Sequence, residues 1–375
     1  MYLERIEYEN YRNLEKGVFV PDEAMNVIYG ENAQGKTNLI EAIWLFTGRK
    51  SFRGTKDTQL INIESKNQTA VLKANFFSEG RHQTGEIIIT NKRLASMNDV
   101  NLSSASGMSE KFSAILFSPA DMDLVKEGPL VRRKFLDNAI STVRPKYEKI
   151  LQAYNRAVMQ RNAILKDVAF HRELEFMLDV YDERIAKSGA YIIAQRKKYI
   201  EALMDYIVDI YSGISSNKEE ISIKYKSTAG AGSEAEILKS LKETRKQDTV
   251  NATTNVGPHR DDMEFFINGL SLKIFGSQGQ RRSAIIALKL SEAEILKKNT
   301  GEQPIAILDD VMSELDLSRQ DYLLNHIKGW QVFITCCDPN NIKMLDNGKV
   351  FKIENGVLSE EKCLPLEEEE PLVMG

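Results

Sequence analysis

Cysteine is scarce: 375 residues contain three, and two of them, Cys336 and Cys337, are adjacent. That set builds neither a disulfide framework nor a metal-ligand spacing, which agrees with a reducing compartment. No apolar run approaches the roughly 20 residues needed to cross a bilayer, and the opening Met1-Tyr2-Leu3-Glu4-Arg5 lacks a basic segment followed by an apolar one. A cytoplasmic protein without a membrane partner is the expectation. Positive charge is not in excess either, because the formal net charge is −4. Indiscriminate polyanion binding by the whole surface is excluded, and any basic face must be local. Zinc-finger spacings and aromatic stacking motifs are missing, so base-specific reading is not announced. What is present is 42% hydrophobic residues in a chain long enough for two domains.

The most informative segment is Gly30-Glu31-Asn32-Ala33-Gln34-Gly35-Lys36-Thr37, which matches GxxxxGK[ST]. It follows the apolar run Val27-Ile28-Tyr29 and precedes a helical pattern containing Leu39, Ile40 and Ile43. A strand, a glycine-rich turn and a helix in that order make a P-loop. Its backbone N–H groups cradle phosphates, Lys36 reaches the β and γ oxygens, and the Thr37 hydroxyl is a ligand for Mg²⁺.

Three regions follow from the patterns. Residues 1–116 carry short strand-like runs, including Met25–Tyr29, Ala70–Phe77 and Glu86–Thr90. Residues 117–248 turn helical, with a break at Pro145 and apolar residues recurring at steps of four and three: Tyr147, Leu151, Tyr154, Val158, then Leu178, Tyr181, Ile185 and Ile192. Arg161, Ser188 and Gln195 interrupt the spacing. Two long helices in an antiparallel hairpin satisfy this pattern, and so does an ordinary helical subdomain with no projecting arm. Residues 249–375 return to α/β character.

That last region holds two more motifs. Pro304-Ile305-Ala306-Ile307-Leu308 reads as a buried strand delivering Asp309 and Asp310. Asp309 is expected to hold Mg²⁺, and Asp310, one residue on, to orient or deprotonate the attacking water. Gly276-Ser277-Gln278-Gly279-Gln280 opens a helix containing Ile285, Leu288 and Leu290, which makes a second anion-binding end. One P-loop needs only one cradle. A second suits a head in which each nucleotide is closed by the turn of another subunit.

In these segments the chain resembles the RecF family of bacterial DNA replication and repair proteins, ABC-type ATPases related to the SMC family. The resemblance rests on Glu9-Asn10-Tyr11-Arg12-Asn13-Leu14, the P-loop with Asn38, Phe117-Ser118-Pro119-Ala120-Asp121, Arg132-Arg133-Lys134-Phe135-Leu136-Asp137, Gly257-Pro258-His259-Arg260-Asp261-Asp262, the turn at Ser277, and Leu308 to Asp316. It implies an α/β ABC-type P-loop ATPase head with an inserted helical lobe forming a short antiparallel helical arm. It also implies ATP and Mg²⁺ as cofactors and an ATP-dependent homodimer. The DNA targets implied are gapped duplex and single-stranded/double-stranded junctions, with slow ATP hydrolysis and RecR and RecO as mediator partners. Carried over by residue, Gly30 to Asn38 bind nucleotide with Lys36 catalytic, Thr37 and Asp309 hold the metal, and Asp310 is the catalytic carboxylate. Ser277, Gly279 and Gln280 match the signature turn, Ser313 to Asp316 the D-loop, and Arg12 lies where related heads contact nucleotide. Many ABC heads carry Glu where this chain has Asp310, and a switch His where it has Cys337. Both departures predict slow hydrolysis, because a thiol hydrogen-bonds phosphate poorly. The alternative reading is the ATPase subunit of an ABC transporter.

Candidate DNA contacts are the basic groups Arg49-Lys50, Arg53 with Lys56, Arg132-Arg133-Lys134, Arg144 with Lys146, and Arg196-Lys197-Lys198. His259 and Arg260 are candidates for hydrogen bonding within the fold. The run Glu367 to Glu370 reads as a solvated tail.

Overall fold

The computed structural model describes residues 1–168, 171–338 and 348–361. The chain divides into two compact units, one made of 1–118, 302–316 and 324–375, the other of 119–301 and 317–323.

The first unit holds two six-stranded sheets. One is antiparallel in the order β2-β1-β4-β5-β6-β7, built from β1 (Tyr2–Tyr11), β2 (Leu14–Phe19), β4 (Ala70–Ser78), β5 (Arg81–Ile89), β6 (Arg93–Met97) and β7 (Val100–Asn101). Strand β4 alternates buried Ala70, Leu72, Ala74 and Phe76 with residues that are exposed or partly so, as a sheet covered on one face requires. The other sheet runs β15-β14-β3-β13-β12-β8, with β3 (Met25–Tyr29), β8 (Ala114–Phe117), β12 (Ile305–Asp309), β13 (Val332–Cys336), β14 (Gly348–Glu354) and β15 (Val357–Glu361). All its pairings are parallel except that of β15 with β14. Every residue of β8, β12 and β13 is buried, the mark of a parallel sheet covered on both faces. Helix α1 (Lys36–Leu45) follows β3 and packs into the same core as Phe19, Phe76, Ile307 and Phe333.

This sheet order positions the chemistry. Strand β13 lies between β3 and β12, with Thr335 opposite Asp309 and Cys336 opposite Tyr29. The P-loop after β3, the Asp309-Asp310 pair after β12 and Cys337 after β13 therefore share the carboxyl end of one parallel sheet, where α/β proteins bind ligands.

The second unit contains α2 (Asp123–Lys126), α3 (Pro129–Val143), α4 (Pro145–Asp167), α5 (Glu175–Ser215), α6 (Glu234–Asn251), α7 (Leu272–Phe275) and α8 (Gln278–Thr300), with β9 (Ile221–Lys226), β10 (Asp262–Ile267) and β11 (Leu270–Ser271). Helices α4 and α5 pack as a hairpin. At 1.5 Å per residue the 41 residues of α5 run about 62 Å, and the 23 of α4 about 35 Å. The longer helix continues past its partner to pack on α6, α8 and β9. Two of the three interruptions in the apolar spacing, Arg161 and Gln195, are interior residues, while Ser188 is part-exposed and donates to the Arg184 carbonyl at 2.6 Å. Arg161 is fully buried, and its guanidinium donates to Asp182 at 2.6 Å and to Asp248 at 2.7 Å. Gln195 is buried as well. A charge inside a helical core marks an ion-paired lock here, not the end of a face.

Residues 249–301, grouped by sequence with the C-terminal part of the head, lie in the second unit. The reason is pairing: β10 forms its antiparallel ladder with β9, and α8 packs along α5. Glu367 to Glu370 lie outside the described residues.

Candidate nucleotide-binding site

Gly35 caps α1 with φ near +118°, and a Cβ there would lie 2.9 Å from Asn13 Oδ1. Only glycine fits both the torsion and the approach. Asn13 is a pin for the loop: its Nδ2 donates to the Gln34 carbonyl at 3.0 Å, and its Oδ1 accepts from Asn38 at 2.7 Å. Arg53 in turn donates to Asn38 Oδ1 at 2.7 Å. From the other side the β14–β15 turn holds Gln34, whose side chain accepts from the Asn355 N–H at 2.5 Å and whose carbonyl accepts from Gly356 at 3.0 Å. Glu31, Asn32 and Ala33 form the exposed crest, with Ala33 left-handed at φ 65°, and Gly30 is buried at its base. Lys36 is buried, and its Nζ donates to the carbonyls of Gly30 at 2.6 Å and Glu31 at 2.9 Å, with Cys337 Sγ at 3.8 Å. Cys337 is exposed and also contacts Asn32 Oδ1 at 3.4 Å. Its neighbour Cys336 is interior, and burial pushes that thiol up to about 12.

Thr37 Oγ1 donates to Asp309 Oδ1 at 3.0 Å. Two cis ligands of an octahedral Mg²⁺ with bonds of about 2.1 Å are also roughly 3.0 Å apart, so this hydroxyl and carboxylate fit the magnesium role. Mg²⁺ otherwise draws on water and phosphate oxygens, so a single protein carboxylate suffices. Asp309 is buried, which lifts its carboxyl above the ordinary range, while hydroxyls from Thr335 and Thr37 pull it back down. Asp310 is exposed with φ 54°, a left-handed torsion that Asp tolerates better than most residues. Ser313 donates to its carbonyl at 3.0 Å.

Thr335 is the functional candidate that sequence reasoning missed. Its hydroxyl donates to Asp309 Oδ1 at 2.8 Å and accepts from the Asp310 N–H at 3.0 Å, so one buried side chain fixes both acidic residues. The sequence signal is a threonine at a strand end, which becomes meaningful only once β13 is known to lie beside β12.

Arg12 makes a two-point contact with Glu41, with Nε donating to Oε2 at 2.9 Å and Nη2 to Oε1 at 3.1 Å, and it also reaches Thr55 at 2.8 Å. Glu41 is fully buried on α1 and accepts from Tyr11 and Ser51 as well. The contacts of Arg12 are thus with the protein, and they brace the P-loop helix.

The signature turn lies in the second unit. Ser277 is the exposed N-cap of α8; its hydroxyl accepts from the Gln280 N–H at 3.1 Å, and Gln280 Oε1 accepts from the Ser277 N–H at 2.8 Å. This reciprocal cap fixes the open end of a 23-residue helix. Gln280 also donates to Glu219 at 2.7 Å, and a Cβ on Gly279 would lie 2.9 Å from Arg319.

Beyond these sites, the model of the RecF/RecN/SMC N terminal domain family matches residues 2–359. The DNA replication and repair protein RecF of Acetivibrio thermocellus is 37% identical over 346 residues, covering 90% of this chain and 94% of its own. That of Caldanaerobacter subterraneus is 38% identical over 371 residues, covering 96% and 100%. The chain belongs to the RecF family. A solved structure of the recombination mediator protein RecF with ATP, in the RecFOR pathway, superposes with a TM-score of 0.88 at 36% identity, covering 96% of this chain and 98% of that one. An SMC head from Pyrococcus furiosus shares the fold at 16% identity and a TM-score of 0.53. RecF membership makes the chain one of an ATP-binding, ABC-type ATPase family and sets aside the transporter alternative. Among the described residues no helix is long and apolar enough to cross a membrane.

Two basic residues offered as DNA contacts, Arg132 and Arg196, are interior in this RecF-family chain, and Arg133 is half-buried. Arg132 is buried and grips Asp262 through Nε at 2.7 Å and Nη2 at 2.9 Å. Arg133 donates to the Asp261 carbonyl at 2.8 Å. Arg196 is buried against Asp137, with Nη2 at 2.8 and 2.9 Å from the two carboxylate oxygens. Lys50, Arg53, Lys56, Lys134, Lys146 and Lys198 are exposed. His259 accepts from Tyr154 through Nδ1 at 2.6 Å if its Nε2 donates to the Thr254 carbonyl at 3.0 Å, as that acceptor demands. Burial lowers this imidazole to about 4, and Arg260 donates to the same Thr254 carbonyl at 3.1 Å.

Proposed function

We propose that this chain is an ATP-switched DNA clamp of recombinational repair. In this reading two ATP molecules are sandwiched between two copies, each P-loop being closed by Ser277 and Gly279 of the other copy. The single observation that carries the nucleotide chemistry is the 3.0 Å pairing of Thr37 with Asp309 beside Lys36. Bound Mg²⁺ neutralises charge on the β and γ phosphates. Lys36 would exchange its loop carbonyls for phosphate oxygens, Thr37 and Asp309 would hold the metal, Asp310 would orient the attacking water, and Thr335 fixes the Asp309 carboxylate and the Asp310 backbone N–H. Cys337 stands where a stronger donor would speed hydrolysis, so turnover is slow and the closed dimer is long-lived. The relatives' repair role supports DNA as the ligand, with gapped duplex and single-stranded/double-stranded junctions as targets and RecO and RecR as mediators. Closing two heads doubles every basic patch, and the exposed Lys50, Arg53 and Lys56 are the contacts this reading favours.

The test compares binding to gapped and intact duplex with ATP, with ADP and without nucleotide. Tighter binding to the gapped DNA with ATP is expected. Equal affinity in all three nucleotide states would sink the switch.

A further inference from the structure

The hairpin of α4 and α5 carries a cavity of about 680 Å³ that the ATPase reading does not use. Its apolar floor includes Ile150, Ala153 and Tyr191, and its rim carries Arg156, Arg184 and Lys187. No carboxylate lines it. The three cations are exposed, and among the described residues none of them has an ion-pair partner. This sets them apart from Arg132, Arg161, Arg196 and Arg245 of the same unit, each of which is held by an aspartate. The Arg184 guanidinium rests over the Tyr181 ring, 5.5 Å from its centroid, so it is partly positioned without being neutralised.

We propose that this groove docks an acidic segment of a partner protein that also carries bulky apolar side chains. The floor rewards burial of Leu, Val or Met, and the rim supplies three uncompensated positive charges for Asp or Glu beside them. A nucleic-acid backbone would satisfy the rim but leave the apolar floor unfilled. A purely apolar helix would fill the floor and leave the rim without a counter-charge. Only a segment with both properties matches both surfaces. The volume is that of a side-chain-binding pocket, within the roughly 300–1,000 Å³ typical of ligand sites.

A probe of this chemistry is the peptide with the sequence Leu-Pro-Leu-Glu-Glu-Glu-Glu-Pro-Leu-Val-Met-Gly, which is also that of positions 364–375 of this chain. Fluorescence anisotropy of the labelled peptide is measured on the full-length protein and on a full-length variant with Glu367 to Glu370 changed to Gln, which takes the acidic charge out of the chain's own copy of this sequence. Binding to at least one of the two is expected. It should weaken at least roughly tenfold with Arg184→Glu plus Lys187→Glu, by reversal of two rim charges, and similarly with Ala153→Trp, which fills the floor from an exposed position. Peptides with Glu changed to Lys, or with Leu, Val and Met changed to Ser, should both fail. Binding that appears only in the Gln variant supports the groove chemistry and identifies the chain's own segment as a competing occupant. The proposal is overturned if neither protein binds the peptide, or if binding ignores both groove variants in proteins whose circular dichroism is unchanged. It is equally overturned if a single-stranded oligonucleotide, and not the peptide, binds in a manner blocked by Ala153→Trp.

Discussion

Replacing Thr335 by valine keeps the shape of a buried side chain and removes one hydroxyl. That hydroxyl makes two bonds, to Asp309 Oδ1 at 2.8 Å and from the Asp310 N–H at 3.0 Å. A hydrogen bond to an ionised group contributes about 1.5–3 kcal/mol, and an orphaned donor costs about 1–3 kcal/mol. If half of the first figure falls on the geometry of Asp309 in the reacting complex, about 0.75–1.5 kcal/mol, turnover drops roughly three- to twelvefold. The sign of the pH effect also follows. Burial already raises the Asp309 carboxyl, and Thr335 is one of two hydroxyls that oppose the rise. In the metal-free protein Thr335→Val should raise it further, so the proton competes with Mg²⁺ for Asp309 at a higher pH and the acid limb of the rate profile moves upward, most at low Mg²⁺. The assay is ATP turnover from pH 5 to 8 at several Mg²⁺ concentrations, with Thr335→Ser as the variant that restores the bond. Turnover within twofold of wild type, with an unmoved acid limb, would refute the positioning role.

Other outcomes test separate parts of the argument. Ser277→Arg should leave ATP binding by the monomer intact and abolish ATP-dependent dimerisation in sedimentation; a variant that dimerises normally would reject the assignment of the turn to a partner's nucleotide. Asp310→Asn should retain ATP, turn it over at least roughly tenfold more slowly and accumulate as closed dimer, in contrast to the loss of Mg²⁺-dependent binding expected of Asp309→Ala. Arg132→Ala should destabilise the second unit by about 3 kcal/mol, because it strands Asp262; a denaturation midpoint equal to wild type would contradict the buried pairing. Lys50→Ala with Lys56→Ala should flatten the salt dependence of duplex binding by about 0.9 in log–log slope for each phosphate left without its cation, and an unchanged slope would remove that face. His259 titrates near 4 when folded against 6.5 for the free side chain, so the unfolded chain binds the extra proton between those values. Stability therefore falls as pH drops through that window, by about 2 kcal/mol at pH 5. The loss should be absent from the His259→Gln difference curve if the residue is not buried as found.

The sequence by itself determined the features whose physics is local. A P-loop is eight contiguous residues between a strand and a helix, and it was legible because the torsions of its glycines, the Lys36 charge and the Thr37 hydroxyl act within that stretch. The same holds for the buried run ending in Asp309 and for the Ser277 cap of α8, whose partner is three residues away. What only the tertiary structure decided are the pairings between distant positions. Basic clusters read as candidate DNA contacts until Arg132 is found on Asp262, 130 residues on, and Arg196 on Asp137, 59 residues back. Local composition carries no record of burial, and a guanidinium in the interior looks identical in sequence to one in water. Arg161 broke an apolar spacing for the same reason, its counter-charges lying on two other helices. Thr335 was silent because its role depends on β13 being the strand beside Asp309, and strand order is fixed by the packing of the whole sheet, not by any one of its strands.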